Sequence, residues 1–283
     1  MKSRRYLISL ALVCSAYLLL QQNAFAVISC NISSPGFSVL YDPLVATPND
    51  SVSSVTINCT RALADPSTQT YTLEADNGLN PQGQSHQASG TGGGLIKYTE
   101  YQDAAYATRW STAPPAKRAI SGTINFGGGT STSINVPIYA RIAAAQAVAA
   151  DIYTDTVTMT LTYGTATALG THPVTITTIP QCIISSPPGN IVFSYTSFQV
   201  TNSVASTTFA TQCTTNLAYT FSLDADVPML GLTYTLTLPV TSGTGTGVAQ
   251  TFNINGTITA GQGGVCTAST CSGTATRLLT ITF

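Results

Sequence analysis

Few side chains in this 283-residue chain are equipped for chemistry: there are two histidines and seven cysteines. The only loosely catalytic-looking group is Ser85-His86 with Glu100 and Asp103, and no Gly-x-Ser-x-Gly nucleophile turn accompanies it. His86 stands in a polar, Gly-rich stretch where a solvated histidine is ordinary, and His172 precedes Pro173 at a strand start. Asp224 and Asp226 repeat the place of Glu74 and Asp76, so this carboxylate pair reads as turn chemistry rather than a glycosidase dyad. The runs Gly90–Gly94 and Gly127–Gly129 lack the Lys-Ser/Thr and the helix of a phosphate loop, and read as hairpin turns. The chain reads as a non-enzyme with no cofactor and no metal.

Cysteine chemistry is the stronger signal. Lys2, Arg4 and Arg5 precede the apolar run Tyr6–Leu20, and Ala24-Phe25-Ala26 follows. That order predicts a secretory leader over 1–26, cleaved after Ala26. The run is shorter than the roughly 20 residues that span a bilayer, and Cys14 inside it lacks the setting of a lipoprotein anchor. Six cysteines then remain, Cys30, Cys59, Cys182, Cys213, Cys266 and Cys271, an even number in an exported chain. Zinc is the alternative for Cys266 and Cys271, but no histidine follows His172 and no second close Cys pair exists.

Charge narrows the class further. Only 7% of residues are Asp, Glu, Lys or Arg, against about 25% in ordinary soluble domains. With net charge −1 there is no basic patch for nucleic acid, and 43% apolar content opposes disorder. Beyond residue 180 the charged residues are Asp224, Asp226 and Arg277 alone.

The elements that must position these residues come from an internal repeat. CNISSPG at 30–36 returns as CIISSPPG at 182–189, SSVTINCT at 53–60 as TFATQCTT at 208–215, and TYTLEAD at 70–76 as AYTFSLDAD at 218–226. SGTINF at 121–126 is matched with TFNINGTI at 251–258, and DTVTMTLTY at 155–163 with ATRLLTITF at 275–283. Two homologous domains follow, 27–179 and 180–283. The repeat makes Cys30–Cys59 and Cys182–Cys213 the economical disulfides, each constraining the unfolded chain by roughly 3–4 kcal/mol, and leaves Cys266–Cys271 as a small clip. Alternating segments such as Val55–Cys59, Tyr71–Glu74, Ile134–Tyr139 and Thr156–Tyr163, separated by Gly, Pro, Asn and Asp, predict strands throughout. Ala143–Ala150 is short and uncapped and reads as a loop or bulge. The expected fold is all-β, two tandem immunoglobulin-like β-sandwiches.

The repeat is also uneven. After DTVTMTLTY the first domain has a turn and another alternating segment, His172–Ile179, whereas the matching strand of the second domain ends at Phe283. The second domain is therefore expected to lack its last strand. Its acceptor edge is Leu278, Leu279, Ile281 and Phe283, open to a strand from another chain. A sandwich that closes with fewer strands is the alternative.

The chain resembles the spore coat protein U domain family, found in pilins of archaic, Csu-type chaperone–usher pili. The resemblance rests on Cys30, on Cys59 at a strand end, and on Ile138-Tyr139-Ala140-Arg141-Ile142 followed by Asp151-Ile152-Tyr153-Thr154-Asp155 leading into Thr156–Tyr163. Ala145-Gln146 stands where the family has Gly-Gln, and Asp151 where it has Gly. The resemblance is strong over the first domain and weak over the second. It implies incomplete sandwiches capped by a periplasmic pilus chaperone, passed through an outer-membrane usher, and completed by the N-terminal extension of an adjacent pilin subunit. Only Val27, Ile28 and Ser29 lie between the predicted cleavage and Cys30, about 10 Å of chain. A subunit that accepts but does not donate a strand is a pilus end, so the expectation is a two-domain tip adhesin, exported through the periplasm to the cell surface and mediating attachment and biofilm formation. A structural coat or matrix protein is the alternative.

Three apolar stretches are the expected surface-binding loops: Leu63 and Ala64; Ala143, Ala144, Ala147 and Val148; and Ala168 and Leu169. The resemblance implies hydrophobic attachment, abiotic surfaces included. Folding back of these side chains into the sandwich is the competing reading, and an up-down strand count puts Ala143–Ala150 at the pole opposite the other two. Trp110 with Tyr98, Tyr101, Tyr106 and Arg109 is a candidate sugar-stacking face, set against aromatic core packing.

Overall fold

The computed structural model describes residues 28–83, 85–111 and 118–283; the expected leader lies outside them. The described residues are all-β, in seventeen strands. The first ten are β1 (Ser29–Ser33), β2 (Phe37–Tyr41), β3 (Asn49–Thr60), β4 (Thr68–Ala75), β5 (His86–Gly90), β6 (Leu95–Tyr101), β7 (Ile120–Asn125), β8 (Ser131–Ile142), β9 (Ile152–Tyr163) and β10 (Ala166–Thr178). They form one continuous sheet ordered β1-β3-β8-β6-β5-β9-β10-β2, with β4 joining β9 to β7. Strict alternation drives the closure: every second residue of β9 from Tyr153 to Tyr163 is buried. The inward faces form two clusters, one around Ile57, Leu73, Trp110 and Leu161, the other around Tyr41, Ile96, Tyr98 and Ile176.

The last strand closes this sandwich from both sides. β10 pairs antiparallel with β9 across the two-residue turn Gly164-Thr165, and β2 lies parallel on its other edge, Phe37 beside Val174 and Tyr41 beside Thr178. Gly36 feeds β2 into place with φ of +69°, and a Cβ there would sit 1.8 Å from the Pro173 carbonyl oxygen, so only glycine serves. The segment Ala166–Leu169, expected as a loop, belongs to β10 because its residues pair with Thr160–Tyr163 of β9.

The second unit holds β11 (Cys182–Ser186), β12 (Ser203–Cys213), β13 (Ala218–Leu223), β14 (Tyr234–Thr237), β15 (Ser242–Thr244), β16 (Gln250–Ile258) and β17 (Leu279–Thr282). They form two sheets, β11-β12-β16-β14 and β15-β13-β17. The strand pairs repeat those of the first unit, with one correction to the sequence alignment. SGTINF corresponds to Ser242-Gly243-Thr244 rather than to TFNINGTI. Gly122 pairs with Tyr71 and Gly243 with Tyr219, and in each case the tyrosine ring lies on the glycine and occupies the space of a Cβ. TFNINGTI is instead β16, the counterpart of β8. The disulfides are Cys30–Cys59, Cys182–Cys213 and Cys266–Cys271.

A glutamine pins the same corner in both units. Gln146 exchanges hydrogen bonds with the Lys97 backbone, and its own N–H donates to the Tyr41 hydroxyl. Gln262 does the same with Thr233 and Tyr195. The preceding residue is left-handed each time, φ +53° at Ala145 and +82° at Gly261. This explains the Gly-Gln pattern from which Ala145 departs: an L-residue there costs about 1 kcal/mol. Ala145→Gly is therefore expected to stabilise the first unit by about 0.5–1 kcal/mol, and Gly261→Ala to destabilise the second by about 1 kcal/mol, both read by urea unfolding. Equal midpoints for Ala145→Gly and the parent would contradict this account.

Candidate functional site

The expected binding residues divide between the two poles of the first sandwich. At one pole the β3–β4 loop is braced by Arg61, whose backbone N–H donates to the Thr130 carbonyl and whose Nε donates to the Gly129 carbonyl. The Asp65 carboxylate accepts from the Ala62 N–H, so Ala62, Leu63 and Ala64 are held outward, Leu63 at 73% exposure. Leu169 is 70% exposed on β10, while Ala166 and Ala168 are half-buried against the core. The turn at Gly164 lies beside Gln69 at the start of β4, on this same pole.

Ala143–Ala150 lies at the other pole, against the second unit. Val148 is buried in the core beneath the loop. Ala147 abuts Gly247, and Ala149 bridges to Thr215. Ala143 stays exposed and Ala144 is half-buried. The buried Thr214 ties the connection between the units, donating to the carbonyls of Ile179 and Gln181.

The aromatic candidates split likewise. Trp110 and Tyr98 are core residues, and the Trp110 indole N–H donates to the Leu73 carbonyl. Tyr106 remains at the surface with Arg141 stacked on its ring, 3.9 Å from the centroid, and Arg141 forms a bidentate pair with Asp50.

The edge expected to accept a strand has a definite geometry. β17 pairs with β13 on one side, Ile281 opposite Phe221 and Leu279 opposite Leu223. Among the described residues no strand pairs with its other side. The segment matching β2 carries Ile191, Phe193 and Tyr195, alternately half-buried and in no strand. Hydrophobic residues around this gap are only partly covered: Ile191, Leu223, Leu236, Leu238, Phe252, Leu279 and Ile281. Leu278 and Phe283 are exposed. The Ile191-x-Phe193-x-Tyr195 wall was visible in the sequence as an alternation aligned with Phe37-x-Val39-x-Tyr41.

Sequence reasoning missed one charged cluster. Arg277 Nε donates to Asp224 Oδ1 at 2.7 Å, Nη1 to Asp226 Oδ1 at 2.5 Å and Nη2 to the Asp224 carbonyl. The guanidinium holds the Asp224 carboxyl below the usual range. These are the only charged side chains of the second unit, and they tie the approach to β17 to the end of β13.

A second cluster, inside the first sandwich, contains two of the groups that looked catalytic, His86 and Glu100, whereas Asp103 accepts from the N–H groups of Ala105, Ala107 and Thr108 in a surface turn. Glu100, His86 and His172 are fully buried. Ser34 Oγ donates to the Ser54 carbonyl and lies 2.7 Å from His172 Nδ1, so Nδ1 carries the proton and Nε2 is left as an acceptor. Nε2 faces Glu100 Oε1 at 3.5 Å. Burial, with Asp155 and Asp76 nearby, pushes the Glu100 carboxyl up to about 8. Burial lowers His172 to about 4 and also lowers His86. His86 Nε2 donates to the Asp76 carbonyl, and Arg109 and Asp155 also act on its charge. Tyr98 donates to Asp155, and its hydroxyl is shifted upward by burial. At neutral pH Glu100 is a neutral acid facing a neutral imidazole, both fully buried, as a structural pair.

This pair sets a pH dependence. The native Glu100 holds its proton up to about 8, whereas the unfolded chain loses it near 4.5, so stability falls as pH rises through that window. For His172 the unfolded chain gains a proton below 6.5 and the native state only near 4, so stability falls as pH drops through that window. The two slopes cancel between about 4.5 and 6.5, where His86 adds a fall toward acid. The first sandwich, followed by Trp110 fluorescence, is expected to be most stable near pH 6.5. Its unfolding constant should rise about tenfold per unit from there to about pH 8. Glu100→Gln keeps a donor toward His172 and should abolish the alkaline limb; an unchanged limb in this variant would refute the assignment.

Comparison with known proteins places this geometry. No curated protein sequence matches the chain. Among solved structures, it is similar to the chaperone–tip adhesion subunit pre-assembly complex CsuC–CsuE of archaic chaperone–usher Csu pili from Acinetobacter baumannii. Identity is 14%, with 90% of this chain and 100% of that one covered, at a TM-score of 0.50. The CupB6 tip adhesin from Pseudomonas aeruginosa is 10% identical over 91% of this chain and 96% of that one, at a TM-score of 0.41. The first likeness supports the shared fold across both sandwiches. The family model of the Spore Coat Protein U domain matches residues 16–160, half of the sequence, and the chain belongs to the Spore Coat Protein U domain family.

Proposed function

We propose that this protein is the tip adhesin subunit of a chaperone–usher pilus, with 27–179 as the adhesin domain and 180–283 as the pilin domain. The observation that carries the reading is the gap beside β17. One side of the strand is unpaired, the opposing wall Ile191–Tyr195 is in no sheet, and the apolar residues between them are half-covered. Unpaired edges and uncovered apolar surface are what strand addition satisfies. In the first sandwich the same place is filled by β10, which leaves that unit free for another task. A periplasmic chaperone fills the gap before assembly, and an adjacent pilin's strand replaces it at the usher. The solved CsuC–CsuE complex, a chaperone with a tip subunit, supports the chaperone as partner.

Attachment falls to the pole away from the second unit, where Leu63, Ala64 and Leu169 stand in solvent. The third stretch lies at the opposite pole against the second unit, with Val148 buried, and is left out of the proposed contact surface. Apolar contact of about 100–200 Å² per loop contributes ~2–5 kcal/mol at about 25 cal/mol/Å², and many pili per cell multiply it. Such contact suits abiotic surfaces and the start of a biofilm. The reading is structural and adhesive, not enzymatic.

Co-expression tests the assembly half: the chain is expected to accumulate as a stable monomer only with its cognate periplasmic chaperone. Deleting Thr276–Phe283 should abolish capture by that chaperone. Stable secretion of the unaided chain would sink the strand-accepting reading. For adhesion, Leu63→Ser with Leu169→Ser should cut retention on polystyrene by roughly tenfold at equal piliation, and undiminished retention would reject these residues.

A further inference from the structure

The gap beside β17 is not uniformly apolar. The hydrogen bond from the Asp76 N–H to the Thr158 carbonyl recurs as Asp224 N–H to the Leu278 carbonyl, which aligns Leu279 with Met159 and Arg277 with Val157. Val157 is a core residue of β9 with no exposure. Arg277 thus stands where an apolar side chain closes the first sandwich, its side chain already 9% exposed. It packs over Tyr234, the counterpart of Tyr98, with the guanidinium 5.7 Å from the ring centroid. In the first sandwich the residue opposite Val157 is His172, a neutral hydrogen-bonding side chain held by Ser34.

We propose that the strand completing the second sandwich carries a neutral hydrogen-bonding residue, such as Thr, Ser, Asn, Gln or His, directly opposite Arg277. This rests on the strand-accepting reading and adds the chemistry that fixes the partner's register. Directly opposed residues have Cβ atoms about 4.5–5.5 Å apart, so the incoming side chain meets the guanidinium. An apolar one would seal from water the guanidinium N–H groups that Asp224 and Asp226 do not take. An acidic one would set a third carboxylate against one guanidinium already shared by Asp224 and Asp226. A basic one would oppose like charge at short range. The flanking positions face Leu279 and Ala275 and take apolar or small side chains, as Gly170 and Val174 do in β10.

The first sandwich supplies the probe. The full chain is extended after Phe283, the counterpart of Tyr163, by a copy of residues 164–178, which restores the turn and strand that follow Tyr163. A second extension of equal length uses alternating Thr and Val with the tested residue at the same register. Hydrogen exchange of the β17 amides is the readout. Copies carrying His, or His172→Thr or His172→Asn, should slow exchange at least tenfold beyond the unextended chain. His172→Leu, His172→Glu and His172→Lys copies should fall short of the Thr copy by about tenfold. Arg277→Met should reverse the order, the Leu copy then protecting better than Thr. Equal or better protection by the Leu copy in the unaltered acceptor overturns the proposal and leaves strand acceptance standing. Protection by no extension of either kind overturns both.

Discussion

Closing an immunoglobulin-like sandwich requires one strand that satisfies two walls at once. It must pair antiparallel with the strand before it and parallel with the segment after the first short strand, so that its inward side chains reach both apolar faces. In the first sandwich β10 meets this demand within the chain, between β9 and β2. Everything that makes that unit complete depends on it: the burial of Phe37, Tyr41, Val174 and Ile176, and the seating of His172 against Ser34 and Glu100. In the second, β17 and the Ile191–Tyr195 wall stand ready, and no strand among the described residues lies between them.

The two units solve the same interior problem with different polar groups. Tyr98 and Tyr234 hold equivalent places, each beside polar partners. Around Tyr98 the partners are Asp155, Glu100 and the two histidines, kept neutral or hydrogen-bonded in a closed core. Around Tyr234 they are Arg277 and two aspartates, at the margin of an open one, where Asp224 and Asp226 still reach water. Full burial of charge is costly unless each group is paired. The neutral pair thus suits the closed sandwich and the ion cluster the open one.

Legibility followed the range of the interactions. Local alternation announced strands such as β3, β4, β8 and β9, and a repeated Cys spacing announced the disulfides, because both are set within a few residues or by the repeat itself. The alignment of SGTINF failed because partner choice is a long-range decision: Gly243 belongs under Tyr219, and only pairing with β13 reveals it. Ala166–Leu169 looked like a loop because four small or apolar residues carry weak strand propensity, yet β9 offered a pairing edge. His86 looked solvated because nothing adjacent in sequence signals that it stacks on Tyr98 inside the core.

The sequence by itself determined the all-β class, the internal repeat and the cysteine pairs, since periodicity and spacing are written residue by residue. Tertiary structure alone decided which apolar residues face solvent and which face the core. Leu63 and Val148 are equally apolar in the sequence, but a braced loop holds one in water while β2, β6 and β10 bury the other. It also decided that Arg277 looks inward. A strand's side chains alternate, and only its pairing with β13 says which face is inside.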